Sequence, residues 1–193
     1  IMLLKIQILI QLLNLKMSLI DYGLRGCDHI GLTVPELDEA VKFFTEVIGC
    51  EFIFDGGSVS NSPKFMSESL NVNPEASLKY CFLRCKNGSN FELFEYESPD
   101  QNNNVPKNSD IGGHHLAIYV DDIYSAVEFL KSKKIKILGN INEISSGPAA
   151  GSSWVYFLTP WGLQMELVSF PNGKAYEKTS ARVLWHSKFP GRI

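Results

Sequence analysis

Apolar and polar residues alternate along one stretch of the chain and then recur every three or four positions along the next. Residues 27–34 alternate and stop at Pro35, which predicts a strand that ends there. Residues 36–48 carry apolar side chains at helical spacing up to Gly49, which predicts a helix. Short strands are then predicted near 50–54, 78–86 and 89–97.

The same order of periods returns in the second half of the chain. DHIGLTVPELDEAVKFF aligns without gaps with HHLAIYVDDIYSAVEFL, so that His29 matches His115 and the helix residues Ala40 and Val41 match Ala126 and Val127. The second copy therefore predicts a strand over 113–120 and a helix over 122–133, capped by Asp121 or Asp122. Further strands are predicted near 134–139, 153–159 and 162–169.

This duplication predicts an α+β fold of two paired βαβββ modules that form a curved mixed sheet around a shared site. The predicted divisions are an apolar extension (1–25), a first module (26–97), a linker (98–112), a second module (113–172) and a tail (173–193). Residues 55–77 are rich in Gly, Ser, Asn and Pro, which is typical of a functional lid or a disordered loop. In a lid, Phe65 or Met66 would touch the substrate.

The N-terminal segment and the net charge bear on which partners the protein has. Residues 1–17 are apolar but shorter than the ~20 residues that span a bilayer, and they lack the features of a signal peptide. They are either material upstream of the true start or an apolar arm that packs on a partner. A net charge of -3 argues against nucleic-acid binding. We expect a cytoplasmic protein with neither a membrane nor a nucleic-acid partner.

Strand alternation places candidate chemistry on one face of each sheet. The aliphatic residues that alternate with His29 and His115 must pack on the following helix, so both histidines point to the other side. Beside them, Gly31 and Ala117 are small, which favours an open cavity. Two glutamates occupy matching positions late in each copy and share the histidine face: Glu92 and Glu166.

Two imidazoles and two carboxylates on one concave face predict a site for a divalent metal ion. Such a mixed nitrogen and oxygen set suits Zn²⁺, Ni²⁺, Co²⁺, Mn²⁺ or Fe²⁺. Three aromatic residues of the second module would line the cavity or, as the simpler alternative, pack in the core: Trp154, Tyr156 and Trp161.

Four segments together, over about residues 26–172, resemble the vicinal-oxygen-chelate superfamily: DHIGLTVPELDEAVKFFTEVIG, GSNFELFEY, GGHHLAIYVDDIYSAVEFL and WVYFLTPWGLQMELVSFP. That superfamily includes glyoxalase I, methylmalonyl-CoA epimerase, extradiol dioxygenases and bleomycin-resistance-like binding proteins. The resemblance implies a metal held by His29, Glu92, His115 and Glu166. It leaves out the neighbouring His114 and Glu95, which face the other way.

The resemblance implies a metal-dependent lyase or isomerase that moves a proton of a small oxygen-bearing substrate through an enolate. Glu166 would be the base, with Glu92 as the alternate. An Fe²⁺ extradiol-type dioxygenase remains an alternative, with Tyr156 as its tyrosine, and so does a non-enzymatic binding protein. No additional acid–base histidine is evident, because nothing in the sequence places His186 of the tail near the site. We expect a homodimer, with modules paired within or between chains.

Overall fold

The computed structural model describes residues 18–191 and confirms the α+β fold with two repeated modules. Each module is a four-stranded mixed sheet whose first helix packs against one face. The first module contains β1 (His29–Thr33), α1 (Leu37–Phe43), β2 (Glu51–Val59), α2 (Pro63–Ser69), β3 (Ser77–Arg84) and β4 (Asn90–Glu97). The second contains β5 (Leu116–Tyr119), α3 (Ile123–Ser132), β6 (Lys136–Glu143), β7 (Ser153–Leu158) and β8 (Gln164–Ser169).

Both sheets have the same strand topology. The strand orders are β1-β4-β3-β2 and β5-β8-β7-β6. The first strand of each module runs parallel to the last, and the other pairings are antiparallel. This arrangement sets β1 beside β4 and β5 beside β8, so residues from the two ends of a module become neighbours.

The alternation in β1 separates a packed face from an open one, as the sequence predicts. Leu32 and Val34 are buried together with Leu37 and Ala40 of the first helix, whereas His29 is on the exposed side. The helix continues from Phe43 into a π-helical turn and ends at a glycine with positive φ. Burial of the aliphatic residues under the helix thus fixes the direction in which the histidine points.

The prediction of a long loop over residues 55–77 is wrong. Strand β2 continues to Val59, and α2 begins after Ser62, whose hydroxyl accepts a hydrogen bond from the Phe65 backbone N–H. Met66 is completely buried in a small apolar cluster with residues of β2, β3 and β4. Phe65 is partly exposed.

The two modules share one hydrophobic core. Trp161, in the turn between β7 and β8, packs edge-on against Phe43 with their ring centroids 5.4 Å apart and also touches Phe44. Buried residues of both helical layers belong to the same cluster. The simpler interpretation of Trp161, core packing, is therefore confirmed.

Near the N-terminal end of the described residues, Ser18 caps a 3-10 turn at Leu19–Tyr22. Residues 1–17, interpreted either as material upstream of the true start or as an apolar arm, lie outside the described residues. Across 18–191, none of the helices combines the length and the apolar character needed to cross a membrane.

Candidate functional site

Each predicted metal-ligand histidine lies beside the glutamate of its own module. In the first module, His29 Nε2 is 3.2 Å from Glu92 Oε2. The parallel pairing of β1 with β4 sets Gly31 opposite Glu92. Because His29 is two residues before Gly31, the side chains of His29 and Glu92 point to the same face of the sheet. About 40% of the His29 side chain and 17% of the Glu92 side chain are exposed, which leaves both accessible to a small ligand.

The second module repeats this arrangement. His115 directly precedes β5, and its Nε2 is 3.0 Å from Glu166 Oε2. Ala117 pairs with Glu166 across the parallel β5–β8 ladder, as Gly31 does with Glu92. The sequence duplication explains why the two geometries match. In each module, the histidine is two residues before the strand residue that pairs with the glutamate.

The described chain forms two separate pairs rather than one cluster of four. Within residues 18–191, no three His, Cys, Asp or Glu side chains lie close enough together to hold one metal ion. The convergence of His29, Glu92, His115 and Glu166 on a single cation therefore stays a prediction, and what the structure supplies is two half-sites.

The second ring nitrogen of each histidine also has a partner. Asp28 Oδ2 lies 2.9 Å from His29 Nδ1, and this hydrogen bond is the main cause that raises the pKa of His29. In the other half-site, Asn108 Nδ2 lies 3.3 Å from His115 Nδ1. Burial raises the pKa of Glu166, partly offset by the neighbouring His115. Sequence reasoning missed Asn108, because polar linker residues show no periodicity.

Aromatic rings border both half-sites. Phe82 meets His29 edge-on with centroids 5.5 Å apart, and Tyr156 meets His115 at 5.1 Å. Trp154 lies 5.0 Å from Tyr156 on the same face. These contacts support Trp154 and Tyr156 as walls of the site, in contrast to Trp161 of the β7–β8 turn, which packs against the core.

The open space expected beside Gly31 is filled. A Cβ at this position would lie 3.3 Å from Cε2 of Phe94, so the ring of Phe94 covers the glycine. Glycine is used here for close packing of an aromatic ring on the strand. Ala117, its counterpart in the second module, is exposed and lines a cavity of about 650 Å³.

A cavity of about 650 Å³ lies between the first module and the edge of β5. His115 lines it, and so does His186 from the tail. The His186 ring is buried against Tyr119, with centroids 4.5 Å apart, and the adjoining Lys188 pairs with Asp121 at 2.6 Å. The fold thus brings the tail histidine to the same cavity as His115, although no sequence pattern predicts that position.

The two residues that the sequence sets aside have other partners. Glu95 points to the helical side of the sheet, where its carboxylate accepts a hydrogen bond from Leu37 N at 2.7 Å and pairs with Lys79 at 2.8 Å. His114 is exposed, and its Nδ1 lies 3.1 Å from the Gly112 carbonyl oxygen. Neither contacts a glutamate of a half-site.

The chemistry of each pair fits half of a divalent-metal centre. An imidazole Nε2 and a carboxylate oxygen that share one proton at about 3 Å can instead direct two lone pairs at a cation. Two such pairs would give the two nitrogen and two oxygen ligands that suit Zn²⁺, Ni²⁺, Co²⁺, Mn²⁺ or Fe²⁺.

Comparison with known proteins then assigns the family. The model of the glyoxalase/bleomycin resistance protein/dioxygenase superfamily matches residues 28–157, which include both histidines and Glu92. The chain belongs to this superfamily. The match confirms the resemblance in the repeated motifs and agrees with the duplicated module.

Relatives of this superfamily member include two kinds of epimerase. A 2-epi-5-epi-valiolone epimerase from Actinomyces sp. is 45% identical over 158 residues, which cover 81% of this chain and 85% of the relative. The mitochondrial methylmalonyl-CoA epimerase of Homo sapiens is 29% identical over 141 residues, covering 72% of this chain and 69% of the relative. Both relatives carry isomerase names.

Solved structures agree on the fold. A glyoxalase family protein from Bacillus cereus superposes with a TM-score of 0.61 at 18% identity, covering 76% of this chain and 94% of its own. The fosfomycin resistance protein FosX from Listeria monocytogenes gives a TM-score of 0.51 at 15% identity, covering 76% and 93%. At these identities the match concerns the fold alone.

Proposed function

We propose that this protein is an epimerase that inverts a carbon next to the carbonyl group of a small hydroxylated ketone. The observation that carries the proposal is the paired His/Glu geometry in both modules. The 45% identity to a 2-epi-5-epi-valiolone epimerase, over more than four fifths of each chain, supports the reaction class and the kind of substrate. The relatives favour an isomerase over the dioxygenase and binding-protein alternatives.

We assign one divalent cation to His29, Glu92, His115 and Glu166. When bound, it would supply Lewis-acid stabilisation of the negative oxygen that develops as the neighbouring carbon loses its proton. The two imidazoles are the neutral ligands of this set. The two carboxylates supply the charge and can also take part in proton transfer.

Epimerisation requires a proton to leave one face of the carbon and another to reach the opposite face. A carboxylate at each side can do this, one as base and the other as acid. Glu166 is the proposed base and Glu92 the proposed alternate. Each lies beside a histidine and an aromatic ring, Tyr156 for Glu166 and Phe82 for Glu92, which would limit the access of water.

The complete site would form between two copies of the chain. Each described chain has one half-site per module, and the two do not meet. In a symmetric dimer, the first module of one copy can face the second module of its partner, which creates two identical sites. We therefore propose a homodimer as the active form.

Deuterium exchange tests this function. The purified protein, loaded with Zn²⁺, Co²⁺ or Ni²⁺, is incubated in D₂O with 2-epi-5-epi-valiolone or with methylmalonyl-CoA, and NMR follows deuterium entry at the epimerised carbon. We expect exchange with the cyclic ketone. If metal-loaded protein exchanges no proton of either substrate, the proposed reaction is wrong.

Glutamine variants of the two half-site glutamates test which carboxylates act in catalysis. Glu92→Gln and Glu166→Gln are expected to lower kcat by about 10²- to 10⁴-fold, since a general acid or base contributes that much. Glu97→Gln is the control, because Glu97 is exposed at the end of β4 and on the face opposite to Glu92. Equal losses in all three variants would contradict the assignment.

A further inference from the structure

The linker between the modules reaches the second half-site through Asn108. Its side-chain Nδ2 lies 3.3 Å from His115 Nδ1, on the side of the ring opposite to Glu166. The same side chain lies close enough to Tyr156 to lower the pKa of its phenol against the rise caused by burial, and the Tyr156 ring packs edge-on against His115. One linker residue thus lies beside both aromatic side chains that surround the glutamate.

The linker holds Asn108 in a defined turn. The Lys107 backbone N–H donates to Asp110 Oδ2 at 2.8 Å, and Asp110 N donates back to the Lys107 carbonyl oxygen at 3.0 Å. Gly113 packs directly under this turn, since a Cβ there would lie only 1.9 Å from Lys107 O. The turn and the glycine together fix where Asn108 lies, although the residue is exposed.

We propose that Asn108 is the positioning residue for His115, and that this linker turn is therefore part of the site. The proposal rests on the proposed function in one respect, the role of His115 as a metal ligand. A histidine that binds a cation through Nε2 is held in the correct ring orientation and tautomer by a hydrogen bond at Nδ1. Asn108 is the side chain that provides this bond.

The asparagine can serve two forms of the ring. With its NH₂ group towards Nδ1, the imidazole proton sits on Nε2 and is donated to Glu166. With its carbonyl oxygen towards Nδ1, the proton sits on Nδ1 and the Nε2 lone pair is available to a cation. Moving between the two requires a rotation of the amide together with loss of the Nε2 proton to Glu166 or solvent and gain of a proton from solvent at Nδ1.

The first half-site has a simpler arrangement. Asp28 is adjacent to His29 in sequence, and its carboxylate oxygen, 2.9 Å from Nδ1, can only accept a proton donor. Nδ1 of His29 is therefore held as the donor to Asp28, and Nε2, 3.2 Å from Glu92 Oε2, can face a cation when no proton lies between it and Glu92. The two half-sites therefore differ in the group that holds the histidine ring at Nδ1: a carboxylate at His29 and an amide at His115.

Three variants test the positioning role. Asn108→Ala removes the hydrogen bond, Asn108→Asp replaces the amide with an acceptor, and Asn104→Ala is the control, an exposed asparagine of the same linker. Two quantities are measured: the ¹⁵N NMR shifts of the His115 ring in the metal-free protein, assigned with His115→Gln, and the affinity for Zn²⁺ by competition with a chelating dye.

We expect Asn108→Ala to shift the ring signals of His115 and to weaken Zn²⁺ binding by about 10- to 100-fold, the usual effect of losing such a partner. Asn108→Asp should restore affinity to within a few-fold of the unmodified protein, and Asn104→Ala should change neither quantity. Unchanged ring signals in Asn108→Ala would overturn the proposal.

The two measurements separate the positioning role from the metal centre. If the unmodified protein binds no Zn²⁺, the proposed centre fails, and the NMR comparison alone decides the role of Asn108. If Zn²⁺ binds and the ring signals shift, but Asn108→Ala binds it as tightly as the unmodified protein, the positioning role is also overturned.

Discussion

Glu92 and Glu95 lie three positions apart on one strand and have opposite surroundings. Glu92 meets a histidine on the open face, whereas Glu95 binds the first backbone N–H of α1 and pairs with Lys79. The hydrogen bond from Lys79, then that from Leu37, lowers the pKa of Glu95. A carboxylate next to a helix N-terminus also stabilises the helix, because its negative charge interacts favourably with the helix dipole.

Replacing Glu95 with glutamine should destabilise the fold in a pH-dependent manner. Because the folded-state pKa is lower than the unfolded one, the contribution of the charge is fully present above the unfolded pKa and is lost as pH falls through the folded pKa. We expect Glu95→Gln to lower the free energy of unfolding by about 1–2 kcal/mol at pH 7. This deficit should shrink as the pH falls below about 4.5.

Urea denaturation at pH 7 and at pH 4 or below measures the difference between the two proteins. Glu97→Gln serves as the control, because Glu97 is exposed at the end of the same strand. A deficit that is equal at both pH values would argue against a role for the Glu95 charge.

Residues on regular strands were the ones that the sequence could place. Alternation correctly predicted that His29 and Leu32 point to opposite faces, because the helix must cover the aliphatic side. The partners of the histidine Nδ1 atoms were not predictable in the same way. Asn108 acts from a turn, where no period links residue number to direction.

At the scale of elements, strand β2 is longer than its sequence suggests. Asp55-Gly56-Gly57-Ser58 has the composition of a turn, yet it continues the strand through an irregularity in register opposite β3 between Asp55 and Gly57. Gly57 has a φ of 74°, which suits glycine. Gly56 has another function: the Tyr80 ring covers it, and a Cβ there would lie 2.2 Å from the ring.

Gly56→Ala should therefore destabilise the fold through the Tyr80 ring. The backbone of Gly56 is not in the left-handed region, so alanine is allowed there. The cost arises because the ring must move away from its stack on Phe94, with centroids 6.0 Å apart. We expect a loss of about 1–3 kcal/mol in the free energy of unfolding, the usual cost of overpacking.

A double-mutant cycle with Tyr80→Ala isolates this contact, since the methyl group then meets no ring. In that background the effect of Gly56→Ala should nearly vanish. A cost that is the same in both backgrounds would show that the glycine is needed for the backbone and not for the ring.

At the scale of the whole molecule, the duplication predicts two half-sites but not which halves combine. Both modules carry the same His/Glu pair, so a local repeat is equally consistent with pairing inside one chain and between two. In the described chain, Phe43 and Trp161 join the helical layers of the modules, while the His/Glu pairs stay apart. The sequence periods contain no information about this choice, since they describe strands and helices one at a time.

Mixing two inactive variants distinguishes these arrangements. His29→Ala and His115→Ala each remove one imidazole from every site, so each protein alone should be inactive. If a site combines the first module of one copy with the second module of the other, a mixed dimer contains one site with both changes and one site with none. Random exchange of subunits should then restore about a quarter of the unmodified activity. In a site formed within one chain, every site of the mixed dimer keeps one change, so no activity returns. Activity is therefore measured after the two variants are refolded together, and each variant refolded alone is the control. If folded mixed dimers are present but no activity returns, the site shared between two copies is wrong.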